Sequence, residues 1–233
     1  AMVGVFNSEH FGAASCYSMM ALEHDMIGFS TTNTGKASIT APGGIEPVIA
    51  NNPISYEIPA RDEPPIVLDM ACGIAAWGRI VTMNLYGQPI PDGWLLDENG
   101  EPTNDANKGK MMIPAAGPKG YGLGIVAGTL AGPLVGGISA CLKKNGESSE
   151  HFFFAINIES FTPLDEFKTK MDETIRKIRS SKPAYGVDRI YLPGEIEWYN
   201  RQKFLKEGLP IHKEHFQDLV KLGEEYGKVI SNK

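Results

Sequence analysis

An uncharged stretch from Gly120 to Leu142 constrains the fold of this chain more than any other feature. Glycine recurs at every fourth position within it, at Gly120, Gly124, Gly128, Gly132 and Gly136. This spacing would place a bare stripe along one face of a helix. Such a helix could cross a membrane, where the stripe would be a packing face, or it could lie buried against a sheet. Because Pro133 would end or kink the helix, and the glycines lower its hydropathy, we favour the buried helix.

The composition and charge are those of an ordinary globular protein that does not bind nucleic acid. Apolar residues make up 42% and charged residues 21% of the chain, and the formal net charge is -6. No basic run with interleaved aromatic residues is present to contact phosphates. Cys16, Cys72 and Cys141 are odd in number and widely spaced, which is typical of a reducing compartment. Since no signal peptide is evident, we expect a cytoplasmic protein.

Apolar runs and helical periodicities predict an α/β fold, with helices on both faces of a sheet and further helices at the C-terminus. Strands are predicted at Met2 to Phe6 (buried), Met26 to Thr31, Ile54 to Ile58, Ile66 to Met70, His151 to Ile158 and Arg189 to Leu192. Helices are predicted at Phe11 to Glu23, Cys72 to Tyr86, Thr162 to Ile178, Glu195 to Lys206 and Phe216 to Ile230. We expect Thr162 to cap one of these helices, with Pro163 in its first turn.

Turn-forming residues mark two connections. Thr32-Asn33-Thr34-Gly35 and Ala41-Pro42-Gly43-Gly44 predict a long loop, and long loops inside compact domains tend to be functional. Asn99-Gly100 is typical of a tight hairpin.

His10 lies where a predicted strand meets a predicted helix, within Asn7-Ser8-Glu9-His10-Phe11-Gly12. Ligands collect at strand ends in α/β proteins, and an imidazole there can transfer a proton near neutral pH. A histidine that only caps a helix, or whose ring is hydrogen-bonded inside the core, would give the same sequence pattern.

Common nucleotide and metal signatures are missing from the sequence. Gly120-Tyr121-Gly122-Leu123-Gly124 lacks the GxGxxG spacing, and there is no Walker loop, GxSxG elbow or HExxH motif. His10 and His24 are widely separated, and His212 and His215 are expected to be exposed. We therefore predict no metal site.

Three loops nevertheless have the groups that an anionic cofactor needs. They are Thr32-Asn33-Thr34, the glycine-rich loop around Lys119 and the turn Pro193-Gly194-Glu195. Asp69, at the end of a predicted strand, could bind a ribose hydroxyl or cap the next turn.

Ten motifs occur in the order seen in one family. They are Asn7-Ser8-Glu9-His10-Phe11-Gly12, Thr32-Asn33, Asn52-Pro53, Leu68-Asp69-Met70-Ala71, Ala75-Ala76-Trp77-Gly78, Ile90-Pro91, Gly93-Trp94, Asp97-Glu98-Asn99-Gly100, the run from Pro114 to Leu123, and Tyr191-Leu192-Pro193-Gly194-Glu195. The chain resembles the malate/L-lactate dehydrogenase-like NAD(P)-dependent oxidoreductases, which include ureidoglycolate, L-sulfolactate and piperideine-2-carboxylate enzymes. This family is unrelated to the Rossmann-type lactate and malate dehydrogenases.

The resemblance implies a non-Rossmann α/β fold, a homodimer, and hydride transfer between a nicotinamide cofactor, NAD or NADP, and a small 2-hydroxy or 2-oxo acid. It implies that His10 is the catalytic proton acceptor. The residues that it implies for cofactor binding are Thr34, Asp69, Met70, Ala71, Lys119, Pro193, Gly194 and Glu195. It implies one unit over residues 1–233, with the cofactor-binding part at about 34–150 and the rest of the core at 1–33 and 151–233.

The family carries an upstream helical region with a Ser-His-Gly motif and basic residues near the substrate, which this sequence lacks. Arg61 and Arg79 are the only arginines in its first 175 residues. The alternative hypothesis is therefore a truncated, non-catalytic remnant that serves dimerisation. The sequence leaves open the choice between NAD and NADP and the identity of the hydroxy acid.

Overall fold

Two β-sheets form the framework of the protein, whose computed structural model describes residues 1–144 and 148–230. Their strands are β1 (Met2–Ser8), β2 (Met26–Asn33), β3 (Ile39–Thr40), β4 (Pro47–Ile49), β5 (Ile54–Ile58), β6 (Ile66–Met70), β7 (Leu95–Leu96), β8 (Pro102–Thr103), β9 (Met111–Met112) and β10 (Ser149–Asn157). The first sheet has the order β1-β10-β2-β5-β6 and is antiparallel throughout. The second has the order β4-β3-β9-β7-β8.

Six α-helices accompany the sheets in the described residues. They are α1 (Ser15–Ser18), α2 (Trp77–Leu85), α3 (Pro118–Leu130), α4 (Leu164–Arg179), α5 (Glu195–Glu207) and α6 (Lys213–Glu225), and a 3-10 helix at Met19–His24 continues α1. In the described part of the chain no helix combines the length and the apolar character that a membrane span requires.

The first sheet has one apolar and one polar face, because side chains alternate along each strand. Phe29, Ile54 and Phe152 lie on the apolar face and pack with Ala127 and Ala131 at the C-terminal end of α3. The strand register places a set of polar residues on the opposite face, namely Ser30, Thr32, Ser55, Asp69 and His151. The α1 segment covers that face, where the Ser30 hydroxyl donates to the Ala14 carbonyl at 2.6 Å. The predicted sheet with helical segments on both faces is confirmed.

The chain divides into two compact units, Ala1–Glu195 and Ile196–Lys233. The first unit contains both sheets. Within the second, described to residue 230, Phe204, Phe216 and Ile230 line one apolar groove.

Several local predictions are confirmed. The strands at Met26 to Thr31, Ile54 to Ile58, Ile66 to Met70 and His151 to Ile158 are present to within two or three residues. Helix α3 ends at Leu130, before Pro133 as predicted, so the last two glycines of the stripe lie outside it. The turn at Asn99-Gly100 joins β7 to β8 in a hairpin.

Other local predictions are wrong, each for a tertiary reason. Strand β1 is not buried, because it forms an edge of the sheet: Met2 is 75% and Phe6 59% exposed. The predicted helix at Phe11 to Glu23 begins only at Ser15 and tightens into a 3-10 helix. The predicted helix from Cys72 begins at Trp77, because the backbone of residues 72–74 bonds to residues 51 and 113 instead.

The two predictions that flank α4 are also wrong. Pro163, not Thr162, occupies the cap position of α4, and no side chain caps it. The Thr162 N–H instead donates to the Ile158 carbonyl and closes the turn that precedes α4. No strand forms at Arg189 to Leu192, because the Leu192 N–H is bound locally by the Glu195 carboxylate at 3.0 Å.

Candidate active site

Strand β6, an edge of the first sheet, ends with the predicted residues Asp69 and Met70, and the predicted Ala71 follows it directly. Asp69 is exposed, lies beside Ser55 of β5, and accepts a hydrogen bond from the Ser15 N–H at 2.9 Å through Oδ2. This bond ties β6 to the segment that follows His10, which is far away in sequence.

The Lys119 loop packs against the residues that follow β6. A Cβ on Gly120 would lie 2.6 Å from the Cys72 carbonyl oxygen, so only glycine permits this approach. Lys119 is exposed in the first turn of α3. An ammonium group at a helix N-terminus is a favourable arrangement for an anion.

The turn Pro193-Gly194-Glu195 meets the first half of β6. The Pro193 carbonyl accepts from the Val67 N–H at 3.1 Å, and Gly194 has φ +82° with its α-carbon closely apposed to Val67. The Glu195 side chain is buried and pairs with Arg189 at 2.5 Å and Arg179 at 3.3 Å. Its carboxylate therefore holds the turn together, and exposed Pro193 is the part of this segment that faces solvent.

His10 is exposed just beyond the end of β1. Its Nδ1 accepts from the Gly12 N–H at 3.0 Å, which leaves the proton of the neutral ring on Nε2. The next ring, Phe11, stacks on His151 of β10 with centroids 4.6 Å apart.

The segments that carry most of the predicted residues meet at β6, but they lie on different sides of the sheet, because α3 packs on the apolar face and Asp69 lies on the polar face. The segment that follows His10 reaches Asp69 through Ser15, the Lys119 loop reaches Cys72 through Gly120, and Pro193 reaches Val67. Thr34 is half-buried just past the end of β2, at the same end of the sheet as the C-terminus of β6. Strand β5 separates β2 from β6, and no hydrogen bond joins Thr34 to the others within the described chain.

Sequence reasoning missed the buried polar residues beneath this site. These residues occupy alternate positions along three strands: Ser30 on β2, Ser55 and Glu57 on β5, and His151 on β10. This period of two in the sequence was a signal that could have revealed the polar face. Burial raises the pKa of the Glu57 carboxyl to about 7, opposed by hydrogen bonds from Ser18 and Ser55. Desolvation likewise lowers the pKa of His151.

The exposed groups at this site determine which chemistry it can support. Within residues 1–144 and 148–230, no cluster of His, Cys, Asp and Glu could hold a metal ion. Burial raises the pKa of Cys72 to about 11, which makes this thiol a poor nucleophile. An exposed imidazole, a carboxylate and a cation at a helix start remain as the reactive groups.

Comparison with known proteins identifies the family of this chain. A family model described as malate/L-lactate dehydrogenase matches residues 1–220. The chain belongs to this family. It is 36% identical over 240 residues to a malate dehydrogenase of Pyrococcus abyssi, covering 97% of this chain and 66% of that protein. It is also 36% identical to an L-sulfolactate dehydrogenase of Methanocaldococcus jannaschii, covering 99% of this chain and 68% of the relative.

Solved structures of the malate/L-lactate dehydrogenase family share the fold. The malate dehydrogenase of Entamoeba histolytica superposes with a TM-score of 0.93 at 30% identity, covering 100% of this chain and 70% of the other. The sulfolactate dehydrogenase of Methanocaldococcus jannaschii gives 0.85 at 33% identity, covering 98% and 67%. The chain therefore spans about two thirds of the length of these relatives.

Proposed function

We propose that this chain belongs to an NAD(P)-dependent dehydrogenase that interconverts a small 2-hydroxy acid and the corresponding 2-oxo acid, of the malate, lactate or ureidoglycolate type. The observation that carries the proposal is that the His10 segment, the Lys119 loop and the Pro193 turn all contact β6 or the residues just after it. The relatives named malate and sulfolactate dehydrogenase support the reaction class.

The residues fit a phosphate-bearing cofactor. No acidic group of the described chain lies within ion-pair distance of Lys119, so its ammonium is available to an anion at the start of the 13-residue helix α3. Asp69 is exposed and could accept a hydroxyl through the oxygen that Ser15 does not use. When bound, the nicotinamide would supply the hydride chemistry, with Thr34, Met70, Ala71 and the turn at Pro193-Gly194 completing its site, while the buried Glu195 carboxylate holds that turn in place.

His10 would move the proton. In the reductive direction the imidazolium form of His10 donates its Nε2 proton to the developing alkoxide of the substrate and becomes neutral; in the imidazolium Nδ1 also carries a proton and has released the hydrogen bond from Gly12. In the oxidative direction Nε2 must first be deprotonated, so Nδ1 must take the proton and give up the hydrogen bond from Gly12. The exposed position of His10 gives a substrate access to that nitrogen.

Replacement of His10 tests the proposal. His10→Ala in the full-length protein should lower turnover by about 10²- to 10⁴-fold, because the reaction loses its general acid and base. NADH binding, measured by fluorescence titration, should persist, since His10 contacts the substrate end. The matched control is His24→Ala, at an exposed histidine outside the site, which should keep wild-type turnover. Wild-type turnover in the His10 variant would contradict the assigned role.

A second candidate, a non-catalytic association module, is favoured by the exposure of β1. Val3 and Phe6 are 56% and 59% exposed on this edge strand. Failure of the full-length protein to bind NADH or NADPH at millimolar concentration would support this candidate over the dehydrogenase.

Assembly and location are further parts of the proposal. We propose a homodimer, which light scattering on the full-length protein would detect as twice the chain mass. A cytoplasmic location is proposed because Cys16, Cys72 and Cys141 are all free, as expected for a reducing compartment.

A further inference from the structure

His151 is a buried histidine in direct contact with the catalytic segment of the proposed function. It lies on β10, only 3% exposed, on the polar face of the sheet. Its ring is stacked on Phe11 with an interplanar angle of 7° and a centroid distance of 4.6 Å. Because Phe11 directly follows His10, the plane of the His151 ring limits how the backbone of His10 can turn.

Thr32 determines the tautomer of His151. The Thr32 hydroxyl donates its one proton to the Glu150 carbonyl at 3.0 Å, and the same oxygen lies 2.8 Å from Nδ1 of His151. The hydroxyl must therefore accept from His151, which places the proton of the ring on Nδ1. In this tautomer Nε2 carries a lone pair, and no donor of the described chain reaches it.

The surroundings of His151 keep its ring neutral. Desolvation lowers its pKa, and His10 acts in the same direction, whereas Glu150 and the carbonyl of Glu9 favour the charged ring. A neutral ring beneath Phe11 adds no positive charge to the segment that carries His10.

We propose that His151 is a positioning residue for His10: the Thr32 hydroxyl fixes its ring, and the ring is the platform on which Phe11 stacks to orient His10. The inference rests on the proposed function for its catalytic consequence, but the placement of His10 can be measured separately. A purely structural histidine would contribute to stability alone and would leave His10 unchanged once the protein has folded.

The sharpest test compares Thr32→Val with Thr32→Ser in the full-length protein. Valine preserves the volume of threonine but removes the hydroxyl, so the His151 ring loses its anchor. We expect kcat to fall by about 10- to 100-fold, the usual result of misplacing a catalytic group. The Kd for NADH should be unchanged, because the structure places Thr32 within β2 with its side chain buried, outside the proposed cofactor site. Serine restores the hydroxyl and should restore turnover. His151→Leu, which removes the platform, should lower kcat at least as much as the valine variant.

A spectroscopic measurement supplies an answer that does not depend on turnover. Two-bond ¹H–¹⁵N correlation of the imidazoles should show Nδ1–H at His151 in the wild type and in Thr32→Ser. In Thr32→Val this tautomer should be lost and the ring signals of His10 should shift. If Thr32→Val does not fold, Phe11→Leu, which breaks the stack, should shift the His10 signals, and Phe11→Tyr, which keeps it, should not.

The outcomes separate the inference from the proposed function. If His10→Ala abolishes turnover but Thr32→Val and His151→Leu keep wild-type kcat, the positioning role is wrong and the dehydrogenase stands. If His10→Ala has no effect on turnover, the catalytic proposal fails, and the His10 ring signals then decide the positioning role. Unchanged His10 signals in every folded variant would overturn it.

Discussion

At the scale of single residues, the polar face of the first sheet holds a carboxyl group that its surroundings keep protonated. Glu57 is fully buried, and the Ser55 hydroxyl donates to it at 2.6 Å. Burial raises its pKa from 4.5 to about 7, and Asp69 adds to the effect. Such a group makes stability depend on pH in the opposite sense to an ordinary surface acid.

Glu57→Gln should remove this dependence. Between about pH 4.5 and 7 the native state binds more protons at Glu57 than the unfolded state, so wild-type stability falls as pH rises through this window. The neutral glutamine should therefore gain up to about 3 kcal/mol over the wild type above pH 7, and no advantage below pH 4.5. Urea unfolding at several pH values measures this. A constant difference between the two proteins would mean that Glu57 does not titrate there.

At the scale of elements, helix α3 approaches its neighbours through glycine. Gly120 lies against the carbonyls of Ala115 and Cys72, whereas Gly122 of the same helix has nothing within 4 Å of an added Cβ. The spacing of the glycines in the sequence predicted this bare face. The structure shows that the loop carrying Lys119 can pack against Cys72 only because Gly120 has no side chain.

Alanine at these two glycines should have opposite effects. Gly120→Ala would place its Cβ 2.3 Å from the Ala115 carbonyl oxygen and should destabilise the protein by about 2–3 kcal/mol. Gly122→Ala should stabilise it by about 0.5–1 kcal/mol, because alanine restricts the unfolded chain and favours the helix. Denaturant midpoints with unchanged slopes test both changes, and equal midpoints would refute the contact.

At the scale of the whole molecule, the C-terminal part of the first unit is fastened to the β5–β6 connection by one buried carboxylate. Asp172 of α4 accepts from the backbone N–H groups of Arg61, Asp62 and Glu63 at 3.0–3.3 Å. Although burial opposes ionisation, these donors lower its pKa. Its stabilising contribution is therefore present at neutral pH and is lost as pH falls through the folded-state pKa.

Asp172→Asn should cost about 2–3 kcal/mol at pH 7, because the amide loses the negative charge and its NH2 group cannot accept from the Asp62 N–H and Arg176 as Oδ2 does. The control is Asp165→Asn, at a carboxylate of the same helix that is 92% exposed and pairs with Arg61. That change should stay within about 0.5 kcal/mol, as is usual for surface pairs. Comparable losses in both variants would contradict a special role for the buried group.

The sequence pattern predicted local structure correctly where a segment forms its own backbone hydrogen bonds or has an unambiguous periodicity. Strand β6 was predicted to the residue, and α3 ends before Pro133 as expected. The failures at Phe11 to Ser15 and at Arg189 to Leu192 have a common cause. In the first segment the Ser15 N–H donates to the distant Asp69 carboxylate, and in the second the Leu192 N–H donates to the nearby Glu195 carboxylate. These N–H groups therefore do not continue a helix or strand, and the periodicity of a single sequence gives no information about such partners.

The sequence by itself determined the family, the sheet with helical segments on both faces, and a set of candidate residues, because motif order and apolar spacing are written along the chain. Only the tertiary structure decided which of those residues share a surface. Tertiary packing brings Asp69 to the segment of His10, pairs the Glu195 carboxylate with Arg179, and places His151 under Phe11. These contacts join residues far apart in sequence, and they follow from register and burial, which the order of amino acids does not display.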